Sequence, residues 1–271
     1  MPEEITSRKN ETVRDAVRLS GSAAYRREKR RFVAEGARLC RDAAESGAPV
    51  LALFYTGQAE EKYASSLAPA FGRAARQYRI SPEVAACLSE TKSPQGVFCM
   101  CEMPDGLSGL PTASKGGHCL ALENIRDPAN LGAMLRTAEA LGIRSVLLCG
   151  ECCDVYSPKV LRASMGAVFR LPLFRGRDAA ETLKALEGRG FTTLAAVPDS
   201  SAVPVTSLRL AGPAAVAVGN EGSGLTVEAQ RACSLRVTIP MRGRAESLNA
   251  AASAAILMWE LMRGGTEGER E

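Results

Sequence analysis

The sequence predicts an α/β protein of two units, the second built on a mainly parallel sheet, and three observations carry that prediction. Residues 103–117, MPDGLSGLPTASKGG, are dense in Gly, Pro and Ser and interrupt regular apolar patterning, as a linker does. Beyond them, short and nearly unbroken apolar runs alternate with helix-like segments, the pattern of strands covered on both faces. Two of those segments open on a capping residue followed by proline, Asp127-Pro128 and Ser157-Pro158.

These signals place a first unit over residues 1–102, the linker at 103–117, a second unit over 118–264 and a disordered tail at 265–271. In the first unit Phe32, Leu39 and Ala43 recur at helical spacing, residues 50–55 and 96–101 read as strands, and Val84, Ala85 and Leu88 mark another helix. In the second, strands are expected at residues 119–122, 145–148, 193–197 and 214–218, with helices at 128–141, 158–165, 179–188 and 226–232. A sheet of this kind takes ligands at the C-terminal edges of its strands.

Composition narrows the class. A hydrophobic content of 46% suits a chain with a real core, and 34 basic against 30 acidic residues gives a net charge of only +4. The placement of basic residues therefore matters more than their total. The N-terminus lacks the apolar core of a signal peptide and no segment stays apolar long enough to span a bilayer, so a cytoplasmic protein without membrane contact is expected. Nine cysteines fit no zinc spacing and read as reduced, mostly buried thiols. No metal site is expected, and a redox role for the vicinal pair Cys152 and Cys153 has no second signal behind it.

Three blocks carry chemistry. In residues 124–138, Asp127 and Pro128 start a helix whose buried stripe is Leu131, Leu135 and Ala138. Gly132 and Arg136 share another face one turn apart. A helix-interior glycine costs about 1 kcal/mol, which makes sense where bare backbone leaves room for Arg136 or for its ligand. Residues 157–166 form a second helix, capped by Ser157, closed by Gly166 in a left-handed conformation and followed by a strand toward Pro172. Its Lys159 and Arg162 suit either a phosphate or plain solvent. The third block runs from a strand into Gly219, Asn220, Glu221, Gly222 and Gly224, then through Ile239-Pro240-Met241 to Ser247-Leu248-Asn249 ahead of an alanine-rich helix, with Ser247 read as its cap. This glycine loop is not G-x-G-x-x-G and comes late in the chain, against a dinucleotide dehydrogenase or an ordinary Rossmann methyltransferase.

Together the blocks resemble the SpoU/TrmH family of RNA 2′-O-methyltransferases, part of the knotted SPOUT class. The matching patterns are N-x-x-D-P-x-N-x-G-x-x-x-R-T-A at 124–138, S-P-K-x-x-R-A-S-x-G at 157–166, G-N-E-G-x-G at 219–224, I-P-M at 239–241 and S-L-N at 247–249. The resemblance implies a C-terminal parallel-sheet SPOUT domain with a deep trefoil knot and a smaller N-terminal α/β RNA-binding domain. It also implies S-adenosylmethionine held around Gly219, Asn220, Ile239, Met241, Ser247 and Leu248, and a homodimer packed through the knot helices. Arg136 would act on the ribose hydroxyl, with Asn130, Glu221, Ser247 and Asn249 around it. Arginine does not readily lose a proton, so its role would be to stabilise developing alkoxide charge or to bind the neighbouring phosphate. The only histidine, His118, stands at the start of a strand and reads as structural.

In the first unit, residues 32–36 (FVAEG) and 88–96 (LSETKSPQG) resemble the substrate-binding domain of rRNA-directed members. The basic run before them, Arg26, Arg27, Lys29, Arg30 and Arg31, is expected to meet phosphate, with Tyr25 and Phe32 as the nearby aromatics for a base. The implied substrate is 23S rRNA; tRNA, or a non-catalytic RNA-binding protein of the same fold, are the alternatives, and a glycine-loop dehydrogenase is the remote third.

Overall fold

The computed structural model describes residues 2–104, 109–114 and 117–266. In chain order the elements begin β1 Glu3–Ile5, α1 Glu11–Gly21, α2 Ala23–Lys29, β2 Arg31–Glu35, α3 Ala37–Glu45, β3 Val50–Tyr55, α4 Gly57–Arg73, β4 Gln77–Ile80, α5 Pro82–Leu88 and β5 Val97–Glu102. They continue with β6 Cys119–Glu123, α6 Pro128–Ala140, β7 Ser145–Cys149, α7 Pro158–Ser164, β8 Leu173–Gly176 and α8 Ala179–Glu187. The last are β9 Thr192–Ala196, β10 Val203–Pro204, β11 Ala214–Val218, α9 Val227–Arg231, β12 Leu235–Thr238 and α10 Ala250–Thr266. Two compact units result: Met1–Asp105 with Asp154–Arg170, and Gly106–Cys153 with Leu171–Glu271. Residues 105–108 and 115–116 of the expected linker, and 267–271 of the expected tail, lie outside the described residues.

The first unit holds a mixed sheet in the order β1-β4-β3-β5-β2, with β5 antiparallel to both neighbours. One face packs Val33, Phe54, Ile80 and Phe98 against Val13, Ala16 and Leu19 of α1 and Val84 and Leu88 of α5. The single helix expected through Phe32, Leu39 and Ala43 is corrected: Phe32 lies in β2, Gly36 turns the chain at φ 98°, and only the other two are in α3. Phe32 is fully buried and stacks on Tyr156 at 4.8 Å and Phe169 at 5.8 Å, so its ring is spent in the core and not offered to a base.

The second block also folds within this unit. Ser157 caps α7 by accepting from Val160 N at 3.4 Å, but the helix closes on Met165, left-handed at φ 51°, and Gly166, also left-handed at φ 81°, comes one residue later and opens the next turn. A short 3₁₀ turn, Ala167–Phe169, follows it in place of the expected strand, which starts only at Leu173. Arg162 is half-buried and pairs with Glu90 at 3.1 Å and Glu35 at 3.5 Å, so its charge is met within the unit. Arg26 is likewise corrected. Its side chain is buried, donating to Asp154 at 2.6 Å and to the carbonyls of Leu19 and Ser20 at 2.5 and 2.8 Å. Three of its five N–H donors are used inside the unit, and at 4% exposure the side chain is not presented to a phosphate.

The second unit is a seven-stranded sheet in the order β10-β12-β9-β11-β6-β7-β8, parallel at every pairing. The central strands β6, β7 and β11 are buried at every residue, which is why they read as unbroken apolar runs. From β6 the chain steps outward to β7 and β8, then returns to the other side of β6, so the order reverses between β6 and β11. A crevice at the carboxyl ends of those two strands is where such sheets bind ligands. His118 sits at the opposite edge, where its Nδ1 accepts from Ala214 N at 3.2 Å and ties the start of β6 to the start of β11. Burial holds its pKa below the ordinary histidine value, so the ring is a neutral acceptor there. Among the described residues no helix is long and apolar enough to cross a membrane.

Candidate active site at the sheet's carboxyl edge

Strands β6 and β11 run side by side with Leu122 opposite Val218, and the residues that follow each form the site. After β11 the chain folds into a tight hairpin. Asn220 N donates to Gly224 O at 3.0 Å, Gly224 N donates back to Asn220 O at 2.9 Å, and Asn220 Oδ1 accepts from Gly222 N and Ser223 N at 2.9 and 3.1 Å. Gly224 is left-handed at φ 68°, and a Cβ on Gly219 would overlap the backbone of Gly224 and Leu225. Two of the glycines in this block thus serve the hairpin's own closure.

Consecutive residues at the end of β6 hold the hairpin at both ends. Asn124, itself at φ 55°, accepts from Asn220 Nδ2 on its carbonyl at 2.9 Å. Glu123 is buried, and its two oxygens accept from Thr226 N and Thr226 OH, both at 2.8 Å; Thr226 in turn caps α9 by accepting from Ala229 N at 3.2 Å. Sequence reasoning missed Glu123, although a carboxylate ending an otherwise apolar strand was the available signal. In Glu123→Gln one amide N–H₂ faces a donor, and the unmet bond is expected to destabilise the chain by about 1–3 kcal/mol in chemical denaturation. Wild-type stability in that variant would contradict the clamp.

Glu221, at the hairpin's tip, gathers four N–H donors. Oε1 accepts from Asp127 N at 3.1 Å and Asn130 Nδ2 at 3.2 Å; Oε2 accepts from Arg126 N and Asn220 Nδ2, each at 3.3 Å. Burial would raise this carboxyl, but the bonds from the backbone, Asn130, Asp127 and Arg126 outweigh it and hold the group below the usual carboxylate range. Asp127 caps α6 as expected, accepting from Ala129 N at 2.6 Å and Asn130 N at 3.3 Å. Asn130 Oδ1 then accepts from Asn249 Nδ2 at 3.0 Å. Asn249, not Ser247, is the cap of α10: its Oδ1 takes Ala251 N at 2.9 Å and Ala252 N at 3.3 Å.

The structure therefore brings Asn130, Asn220, Glu221 and Asn249 into one hydrogen-bonded path, with Gly219 opening the hairpin beneath it. Arg136 is exposed on α6 while Gly132, one turn earlier, is buried. Ser247, Met241 and Leu248 lie in an exposed run over residues 241–249, and Ile239 is half-buried after β12. Among the described residues neither Arg136 nor Ser247 joins the path. The neighbouring thiols offer no nucleophile, since burial pushes Cys149 up to about 12 and raises Cys152 as well.

The profile of the SpoU rRNA Methylase family matches residues 117–259, more than half of the chain, and spans the whole of this edge. The chain belongs to the SpoU rRNA methylase family. A second profile, the MRM3-like substrate binding domain, matches residues 10–99. The SpoU-family chain is 31% identical over 258 residues to the 23S rRNA (guanosine(2553)-2′-O)-methyltransferase RlmP of Bacillus subtilis (strain 168), covering 95% of this chain and 98% of that one. It is 32% identical to the 23S rRNA (uridine(2479)-2′-O)-methyltransferase of Streptomyces viridochromogenes, covering 97% and 93%. Among solved structures it is similar to the AdoMet-bound rRNA methyltransferase of Sinorhizobium meliloti, with a TM-score of 0.85, 30% identity and coverage of 96% and 97%.

Proposed function

We propose that this chain transfers the methyl group of S-adenosylmethionine to a ribose 2′-hydroxyl of RNA, with 23S rRNA as the substrate class. The observation that carries the reading is the path Glu221–Asn130–Asn249, which draws the hairpin, the start of α6 and the start of α10 onto one edge at the reversal of strand order. The rRNA preference is supported by relatives that match along nearly the whole chain and by the substrate-binding match at residues 10–99.

The residues fit an adenosyl ligand. Residues 241–248 are exposed and, among the described residues, make no backbone–backbone hydrogen bonds, while Met241 and Leu248 stand 38% and 37% exposed. Unpaired peptide groups next to bare apolar side chains suit a heterocycle with polar edges. Gly219, Asn220, Ile239, Met241, Ser247 and Leu248 would hold it, supported by a C-terminal segment threaded as a trefoil knot. When bound, the cofactor supplies a methyl group on a sulfonium, an electrophile that needs no activation.

What the chain must add is position and charge. Glu221 acts as a clamp, because four donors occupy its oxygens and depress its basicity. Asn130 and Asn249 fix the edge of the site, Ser247 lines it, and the guanidinium of Arg136 stabilises the alkoxide that develops on the ribose. The proton leaves to substrate phosphate or water. We place the protein in the cytoplasm as a homodimer; Ile256 and Trp259 on α10, 36% and 57% exposed, are the apolar surface a second copy would cover.

Incubating the chain with radiolabelled S-adenosylmethionine and either 23S rRNA or total tRNA, then mapping 2′-O-methyl sites, tests the reading. Label in 23S rRNA is expected. Label confined to tRNA would transfer the activity to that substrate, and cofactor binding without label in either RNA would favour a non-catalytic RNA-binding protein.

A further inference from the structure

A cleft of about 800 Å³ in the first unit opens between α1 and the end of the sheet where β2, β3 and β4 begin. Four arginines line it: Arg14 and Arg18 from α1, Arg31 at the first position of β2 and Arg76 just before β4. Two carboxylates share the lining, Glu11 and Asp15, and Asp15 is occupied by the Tyr25 hydroxyl at 2.6 Å. Cations outnumber anions, and among the described residues the side chains of Arg14 and Arg31 have no ion pair. Gathering guanidinium groups at one opening is self-repulsive unless an anion joins them.

The floor is of a different kind. Ala52 and Met100 are buried apolar groups, and the buried ring of Tyr78 stacks on Phe54 at 5.2 Å. The Arg18 guanidinium sits 4.1 Å over the Tyr25 ring, with the Lys29 ammonium 5.6 Å from it. A guanidinium held over an aromatic ring gives a flat cationic platform of the sort on which unpaired bases stack. Cationic rim, apolar floor and stacking platform together match one ligand chemistry, a nucleoside phosphate, and the volume suits one.

We infer that this cleft receives an unpaired nucleotide of the RNA substrate, its base over Arg18 and Met100 and its flanking phosphates at Arg14, Arg31 and Arg76. The inference rests on the RNA reading above and adds where a single-stranded segment is gripped. The basic run thereby divides by role. Arg26 turns inward to Asp154, whereas Arg31 faces the cleft and Lys29 stands over the Tyr25 ring.

The test uses the full chain and a short fluorescent single-stranded oligoribonucleotide carrying 4-thiouridine. The variant is Arg14→Ala/Arg31→Ala/Arg76→Ala, at side chains that are exposed or half-buried. Its affinity for the oligonucleotide is expected to fall by at least about tenfold, and the slope of log K against log salt to flatten by roughly 2, at about 0.7 for each lost phosphate contact. Its S-adenosylmethionine affinity should not change. Photocrosslinks on the wild type should fall on the peptides that hold Tyr25 or Met100. Unchanged affinity and slope in the variant, or crosslinks only elsewhere, would overturn the inference and leave the RNA reading standing. A wild type that binds cofactor but no RNA would bring down both. A polyglutamate peptide that competes as well as the oligonucleotide would make the cleft a general anion site, and would likewise overturn it.

Discussion

Arg136→Ala is expected to lower the rate of methyl transfer by about 10²–10³-fold while leaving S-adenosylmethionine affinity and stability unchanged. The fold has little to lose there: Arg136 is exposed in the middle of α6 and joins none of the bonds that organise the edge. Alanine is the best helix former, so α6 itself is not weakened. The loss would then report charge stabilisation made only in the transition state, which lowers the rate constant without touching ground-state binding. Arg136→Lys keeps the charge but loses the planar fork and should recover only part of the rate. Single-turnover kinetics beside a calorimetric cofactor titration decides it: near-normal turnover in Arg136→Ala would remove this residue from the mechanism.

Much of the second unit was legible because its central strands are covered on both faces and its helices start on caps. β6, β7 and β11 emerged as apolar runs, and Asp127-Pro128 announced α6 one residue early, as a cap must. The two outermost strands on one side of the sheet were harder. β10 is two residues long and exposed, and β12 begins with exposed Leu235 and Arg236, so neither leaves an apolar signature. Phe32 deceived for a simple reason: its spacing to Leu39 also fits a strand residue followed, past a left-handed glycine, by a helix. Glu123, Arg26 and Arg162 show the deeper limit. Their partners Thr226, Asp154 and Glu35 lie far away in sequence, and a local pattern carries no record of such bonds. Family resemblance named Asn130, Glu221 and Asn249 as residues of one site, but not the bonds that join them in the order Glu221–Asn130–Asn249. What the structure adds is that Glu221 accepts from four donors, which makes it a clamp.

The same logic singles out Gly219→Ala, because among the described glycines compared it is the one where an added Cβ would come nearest to other atoms. The new Cβ would overlap the carbonyl and amide of Gly224 and Leu225, which are backbone and have no rotamer by which to yield. Relief requires opening the reciprocal Asn220–Gly224 pair, and the tip carrying Glu221 then leaves the donors on Arg126, Asp127 and Asn130 unmet. The expected result is a loss of about 2–4 kcal/mol in stability together with at least a hundredfold loss of cofactor affinity. Gly222→Ala is the matched control, because there the added carbon meets only Asn220 Oδ1, at an ordinary 3.5 Å. If both variants bind S-adenosylmethionine as the wild type does, the hairpin is not what shapes the pocket, and the placement of the cofactor against Gly219 falls with it. If only Gly219→Ala fails, closure of that turn is the physical condition for binding, and the glycines of the block are explained by backbone packing before any contact with ligand is invoked.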